Sequence, residues 1–235
     1  MWVRSIRDTG HASSPADAAR ARRRKGLVAR LTLLCALAAA TCPAAAEPLR
    51  IVAFGDSLMA GYGLPAAAAF PVRLEAALKA KGYDVRVIGA SVSGDTASSG
   101  LARLAWAFPA GAEAAIVELG ANDALRGIDP KVTRDALDGI VRRLKERRVD
   151  VLLAGMQAPR NLGAEYAAGF DAIYADLAKK HGMLLYPFFL DGVATDPALN
   201  LRDGIHPTAK GVDVIVARIL PSVEQLIARV RARTG

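Results

Sequence analysis

Cysteine is nearly absent from this chain. Of 235 residues only Cys35 and Cys42 carry a thiol, and both fall within the first 46. A folded domain downstream of them is expected to hold no disulfide, catalytic thiol or thiolate-bound metal. Histidine is scarce as well: beyond residue 46 there are only His181 and His206. That supply excludes an HExxH helix and a zinc cluster, and the sequence also lacks a P-loop and a G-x-S-x-G elbow. Neither a metal nor a cofactor is expected. Past the N-terminal segment there is no apolar run long enough to cross a bilayer.

Evenly spread positive charge is also missing. The formal charge is +8, but residues 1–46 carry eight basic side chains, from Arg4 to Arg30, against Asp8 and Asp17. The remainder is left with +2, too little to suggest a nucleic-acid partner. The basic cluster precedes "LTLLCALAAA" (Leu31 to Ala40), and Ala44-Ala45-Ala46 follows before Glu47. Basic lead-in, short apolar core and small-residue exit are the pattern of a secretory signal peptide. Residues 1–46 are therefore expected to be a signal peptide with a long basic lead-in, residues 47–235 one domain, and the destination periplasmic or secreted after cleavage near Ala46. Lipidation at Cys42 is the minor alternative, because "AATC" lacks the usual leucine three residues before the cysteine.

From Leu49 onward short apolar runs alternate with longer periodic ones. "RIVAF" (50–54), "DVRVIGA" (84–90), "AAIVELG" (114–120), "DVLLAGM" (150–156) and "GMLLYPF" (182–188) read as five buried strands. Helical periodicity fills 70–82, 132–147, 165–182 and about 208–231. Such alternation predicts an α/β fold with right-handed crossovers and a parallel sheet, whose ligands bind beyond the carboxyl ends of the strands.

At one of those ends stands "GDS", with Ser57 where the first strand stops. The position suits a nucleophile, and it equally suits an N-cap. A serine nucleophile needs a base. His181, in "AKKHG" at a helix end, fits a C-terminal cap. His206, in "LRDGIHPTAKG", has Asp203 three residues earlier, so one ring nitrogen can meet the carboxylate while the other faces the serine. An Asp-stabilised turn is the alternative there. Strands two and three run into "GASVSGDT" and "VELGANDALRG", which bring Gly94 and Asn122 to the same rim, either as donors to a developing oxyanion or as turn residues. Asp56 and Asp95 read more simply as loop hydrogen-bond acceptors than as acid or base.

"GDSL", the Gly94 loop, "GAND" and "DGIH" follow the order of the four blocks of the SGNH (GDSL) hydrolase superfamily, which the chain resembles over nearly all of its length after residue 46. "SGDT", "GLARL", "PFF" and "DGIHP" are further similar to its periplasmic thioesterase I, lysophospholipase L1 and arylesterase group. The resemblance implies a three-layer α/β/α fold with a five-stranded, flavodoxin-like parallel sheet. It implies Ser57 as nucleophile, His206 as base, Asp203 as its partner, and an oxyanion hole from the Ser57 NH, the Gly94 NH and the Asn122 side chain. The implied activity is that of a secreted esterase acting without a cofactor on a small-molecule or lipid acyl ester: aryl esters and lysophospholipids, with acyl thioesters as an extension. Leu58, Met59, Leu125, Ile128 and Leu162, taken as a set, suggest a groove for an acyl chain or aryl group, core packing being the alternative for each. An O-acetylesterase of envelope polysaccharide and a non-catalytic envelope binding module are the competing readings.

N-terminal sequencing of the exported protein should find a start at about Glu47. A chain beginning near Met1 and retained in the cytoplasm would refute the leader.

Overall fold

Runs of small and β-branched apolar residues form the middle layer of the computed structural model, which describes residues 47–234. The expected leader and both cysteines lie outside the described residues. In chain order the elements are β1 (Leu49–Phe54), α1 (Ser57–Ala60), α2 (Phe70–Ala80), β2 (Val85–Gly89), α3 (Ala97–Ala107), β3 (Ala114–Glu118), α4 (Ala121–Leu125), α5 (Pro130–Glu146), β4 (Asp150–Ala154), α6 (Ala164–His181), β5 (Leu184–Tyr186) and α7 (Ala209–Thr234). All strand pairs are parallel and the order is β2-β1-β3-β4-β5. Every residue of β3 is buried, as expected where both faces of a parallel sheet are covered. α2 packs on α7, while α5 packs on both α3 and α6 in a second helical layer. Among the described residues no helix is long and apolar enough to cross a membrane.

Each long helix has a local reason to begin or end. Asp129 caps α5 by accepting the Lys131 NH at 2.8 Å, with Pro130 in the first turn. The buried face of α5, from Thr133 through Leu137 and Ile140 to Leu144, repeats at three and four residues. Gly182 ends α6 in the left-handed region, a conformation that favours glycine. Helix α7 carries Pro221 inside it, yet Val212, Ile215, Ile219, Val223 and Leu226 keep one stripe buried along its length.

The sheet and four long helices stand where the periodicity places them. α3 was not foreseen, because "ASSGLARLAWA" opens on serines and a glycine whose intrinsic preference for helix is weak. It forms because the Thr96 hydroxyl caps it at the Ser99 NH (3.2 Å) and because Gly100 lies flat against the sheet. β5 is three residues long rather than seven, being bounded by the Gly182 cap and by Pro187, which has no NH for the ladder.

A methyl group on Gly100 would run into the Leu119 side chain and approach Phe54. Alanine gains about 1 kcal/mol of helix propensity over glycine, whereas overpacking a core costs about 1–3 kcal/mol. Gly100→Ala should therefore lower the denaturant midpoint. A rise would show that the α3–sheet contact has room to spare.

Candidate active site

The order β2-β1-β3 makes the edge between β1 and β3 the point where the winding of the sheet reverses, and a crevice opens there. β1 and β3 leave their register at Phe54↔Val117, so Gly55 and Asp56 come to lie beside Glu118. Asp56 caps α1 through the Leu58 NH (3.0 Å), which places Ser57 as the first residue of that short helix, 8% exposed.

His206 reaches the serine from the opposite end of the chain. Its Nε2 lies 2.9 Å from the Ser57 Oγ and its Nδ1 lies 2.8 Å from the Asp203 carboxylate. The loop that carries it is folded by its own acid: Asp203 Oδ1 accepts the NH groups of Ile205 (2.9 Å) and His206 (3.0 Å), an Asx turn completed by Gly204 at φ 70°. The His206 NH, the Ile205 NH and the His206 ring together pull the Asp203 carboxyl down to about 2. The bonds that this carboxylate accepts are intact above its ordinary value and weaken only as pH falls toward that figure. Tyr62 covers the imidazole, ring centroids 4.4 Å apart.

Gly94 and Asn122 meet Ser57 at this edge. Gly94 has φ 86°, a left-handed conformation, and its carbonyl is held by Arg126 Nη2 at 2.9 Å. Among the described residues neither the Ser57 NH nor the Gly94 NH has a protein acceptor. The Asn122 amide is engaged twice, donating to Asp56 Oδ2 and to the Asp95 carbonyl, both at 3.0 Å. Asp56 and Asp95 are thus acceptors, as read from the loops.

Behind this layer lie two residues that the sequence did not single out. Arg103 of α3 is 6% exposed; it pairs with Asp95 and donates to the carbonyls of Ala90 (2.7 Å) and Gly55 (3.0 Å). It thereby ties the Ser57 loop to the Gly94 loop. Its signal was a cation on the apolar face of "GLARL". Glu118 is fully buried, and burial holds its carboxyl well above the usual range, helped by the charge of Asp56. Burial likewise pushes Asp56 up to about 6, against the Leu58 NH and the Asn122 amide. An acid inside the apolar run "AAIVELG" was the signal there. His181 instead pairs with Asp138 at 2.7 Å, within the α5–α6 contact.

An apolar groove of about 380 Å³ adjoins the serine, bounded by Leu58, Leu125, Met156, Phe188, Leu190 and Ile205. Of the five groove candidates, Leu58 and Leu125 line it. The other three do not line it. Met59, one position further round α1, turns into the core and is fully buried. Ile128 lies beyond α4, its carbonyl bonded to the Tyr166 hydroxyl at 2.8 Å. Leu162 borders a separate cavity with Pro130 and Tyr166.

The GDSL-like Lipase/Acylhydrolase family model matches residues 53–214. "Esterase TesA" of Pseudomonas aeruginosa is 36% identical over 193 residues, 82% of this chain and 95% of that protein. "Thioesterase 1/protease 1/lysophospholipase L1" of Escherichia coli is 38% identical over 185 residues, 78% of this chain and 86% of that protein. The crystal structure of AlinE4, described as an SGNH-hydrolase family esterase, is 47% identical with a TM-score of 0.65, covering 76% of this chain and 96% of its own.

An ionised Asp203 can only accept, so neutral His206 should carry its proton on Nδ1. Nitrogen NMR of the labelled histidine should show that tautomer near neutral pH, and Asp203→Ala should shift the signal toward a mixture. A dominant Nε2–H tautomer in the unaltered protein would contradict the geometry.

Proposed function

The chain belongs to the GDSL-like lipase/acylhydrolase family and is a carboxylic ester hydrolase; we propose that it is exported and works through an acyl-enzyme on Ser57. The observation that carries the proposal is the hydrogen-bonded file Asp203–His206–Ser57, joining residues 149 positions apart. His206 takes the Ser57 proton as Oγ attacks the acyl carbon. It returns that proton to the leaving alcohol, and water repeats the sequence to free the acid. Asp203 holds the ring and balances the imidazolium.

The negative charge that develops on the carbonyl oxygen falls to the Ser57 and Gly94 NH groups, which have no acceptor to give up among the described residues. Asn122 contributes the third donor. One of its NH bonds stays on Asp56 while the other moves from the Asp95 carbonyl to the oxyanion.

The groove beside Ser57 supports an acyl or aryl group larger than acetyl. Its volume is within the range of small-ligand sites, and its walls are mostly apolar. Aryl esters and lysophospholipids fit that description, and so do acyl thioesters, whose leaving thiol needs the same proton. The mature chain is proposed to begin near Glu47 and to act in the periplasm or outside the cell.

A series of nitrophenyl esters from acetate to palmitate, run on the unaltered protein and on Ser57→Ala, tests the reading. Medium chains should turn over fastest, and Ser57→Ala should lose on the order of 10⁴-fold or more in kcat. Strict acetate preference would favour the O-acetylesterase, no turnover would favour a binding module, and undiminished turnover by Ser57→Ala would place the nucleophile elsewhere.

A further inference from the structure

Glu118 is an acid sealed from solvent, with no ion pair among the described residues. It ends β3 fully buried, and its Oε1 has no hydrogen-bond partner among the described residues. Its Oε2 takes the Asp56 NH at 3.4 Å, and the two carboxyl groups lie within hydrogen-bonding reach of each other. Gly55 makes that approach possible, since a Cβ there would stand 2.6 Å from the same oxygen.

Two carboxylates this close and this dry do not both ionise. The charge resides where donors are. Asp56 has the Leu58 NH and the Asn122 amide, each at 3.0 Å, while Glu118 has one long contact. The other ionisable groups facing the pair leave that assignment in place. His206 acts on Asp56 favourably and Asp95 unfavourably. Tyr174 of α6, which faces both acids, donates its hydroxyl hydrogen bond to the Leu119 carbonyl at 2.9 Å. Asp123 of α4 accepts from the Ala97 NH and the Thr133 hydroxyl, both at 2.9 Å. Arg103 of α3 is occupied by Asp95, Ala90 and Gly55.

We propose that Glu118 is a positioning residue: as a neutral acid packed against the Asp56 carboxylate, it confines one negative charge to Asp56 and so aligns the Asn122 amide with the oxyanion. The proposal rests on the reading of Asn122 as an oxyanion donor. A second charge on Glu118 would drive a proton onto Asp56, and Asn122 would lose the anionic acceptor that fixes its rotation. Glutamine, neutral at every pH and able to donate, can replace such an acid; a carboxylate could not be replaced in this way.

The test compares the unaltered protein with Glu118→Gln and Glu118→Leu. A buried neutral acid contributes its full stability below the ordinary glutamate value and loses it as pH rises toward its own raised value, a loss that Gln does not suffer. Denaturant unfolding between about pH 5 and about pH 8 should therefore show Glu118→Gln gaining on the unaltered protein, by up to about tenfold in the folding equilibrium constant per pH unit. A flat difference, or one that runs the other way, would overturn the neutral acid.

In kinetics, Glu118→Leu should lower kcat by roughly tenfold or more with KM little changed, and Glu118→Gln should recover most of the loss. Equal losses in both variants would refute the proposal. Asn122→Ala separates the oxyanion donor from the residue that positions it. It should lower kcat by about 10² to 10³ if the oxyanion reading holds. A slow Asn122→Ala beside a normal Glu118→Leu would remove Glu118 from the site. Normal kcat in both would sink the oxyanion reading itself and the positioning role with it.

Discussion

The pairing of β1 with β3 is the constraint from which the rest follows. Their register, ending at Phe54↔Val117, brings Gly55 and Asp56 beside Glu118 before either loop has begun to turn. No side chain fits at Gly55, because the Glu118 carbonyl and carboxyl already occupy the space. A side chain there would part the two strand ends, and with them the loop that presents Ser57 and the loop that presents Asn122. The reversal of winding between these strands also opens the crevice in which both loops meet.

Polar groups in that crevice are stacked in depth, and each layer satisfies the one above it. Ser57 and His206 face the groove under Tyr62. Beneath them Asp56 and the Asp95 carbonyl hold Asn122. Beneath those, Arg103 binds Asp95, Ala90 and Gly55, with its guanidinium 4.1 Å from the centroid of the Phe54 ring. A buried arginine is tolerated only when its donors are used, and here they are spent on backbone that the site needs held still. Rigidity of this kind suits preorganised donors, which gain most when they do not have to reorganise as charge develops.

Much of the groove is built from other segments. Met156 to Arg160 follow β4, and Phe188 to Asn200 follow β5. These long connections are apolar on their inner side, and at Thr195 one of them places a β-branched residue at φ 67°. The outer walls of the groove therefore come from segments apart from the stacked site, while Leu58, Leu125 and Ile205 join it to the loops that carry Ser57, Asn122 and His206. Changes in the outer loops can alter what is bound without disturbing the stacked hydrogen bonds below.

Strand identity was legible because a sheet buried on both faces needs unbroken apolar runs, and such runs appear in the sequence without reference to any partner. The long helices were legible for the matching reason at a period of three to four, and the order of strands and helices fixed the parallel sheet. Ser57, Gly94, Asn122, Asp203 and His206 could be marked because each sits in a block of turn-forming residues just past or between those runs. What stayed hidden depended on neighbours far away in sequence. α1 and α4 are too short to show a period and exist through their surroundings. Leu58 and Met59 are adjacent and equally apolar, and only the packing of α1 sends one to the groove and the other to the core. Glu118 and Arg103 are single charges within apolar stretches, and only the fold places Asp56, Asp95 and Gly55 around them. Local pattern records which backbone a segment prefers, but the partner of a buried charge is chosen by strand order and register, which exist only once the whole sheet has formed.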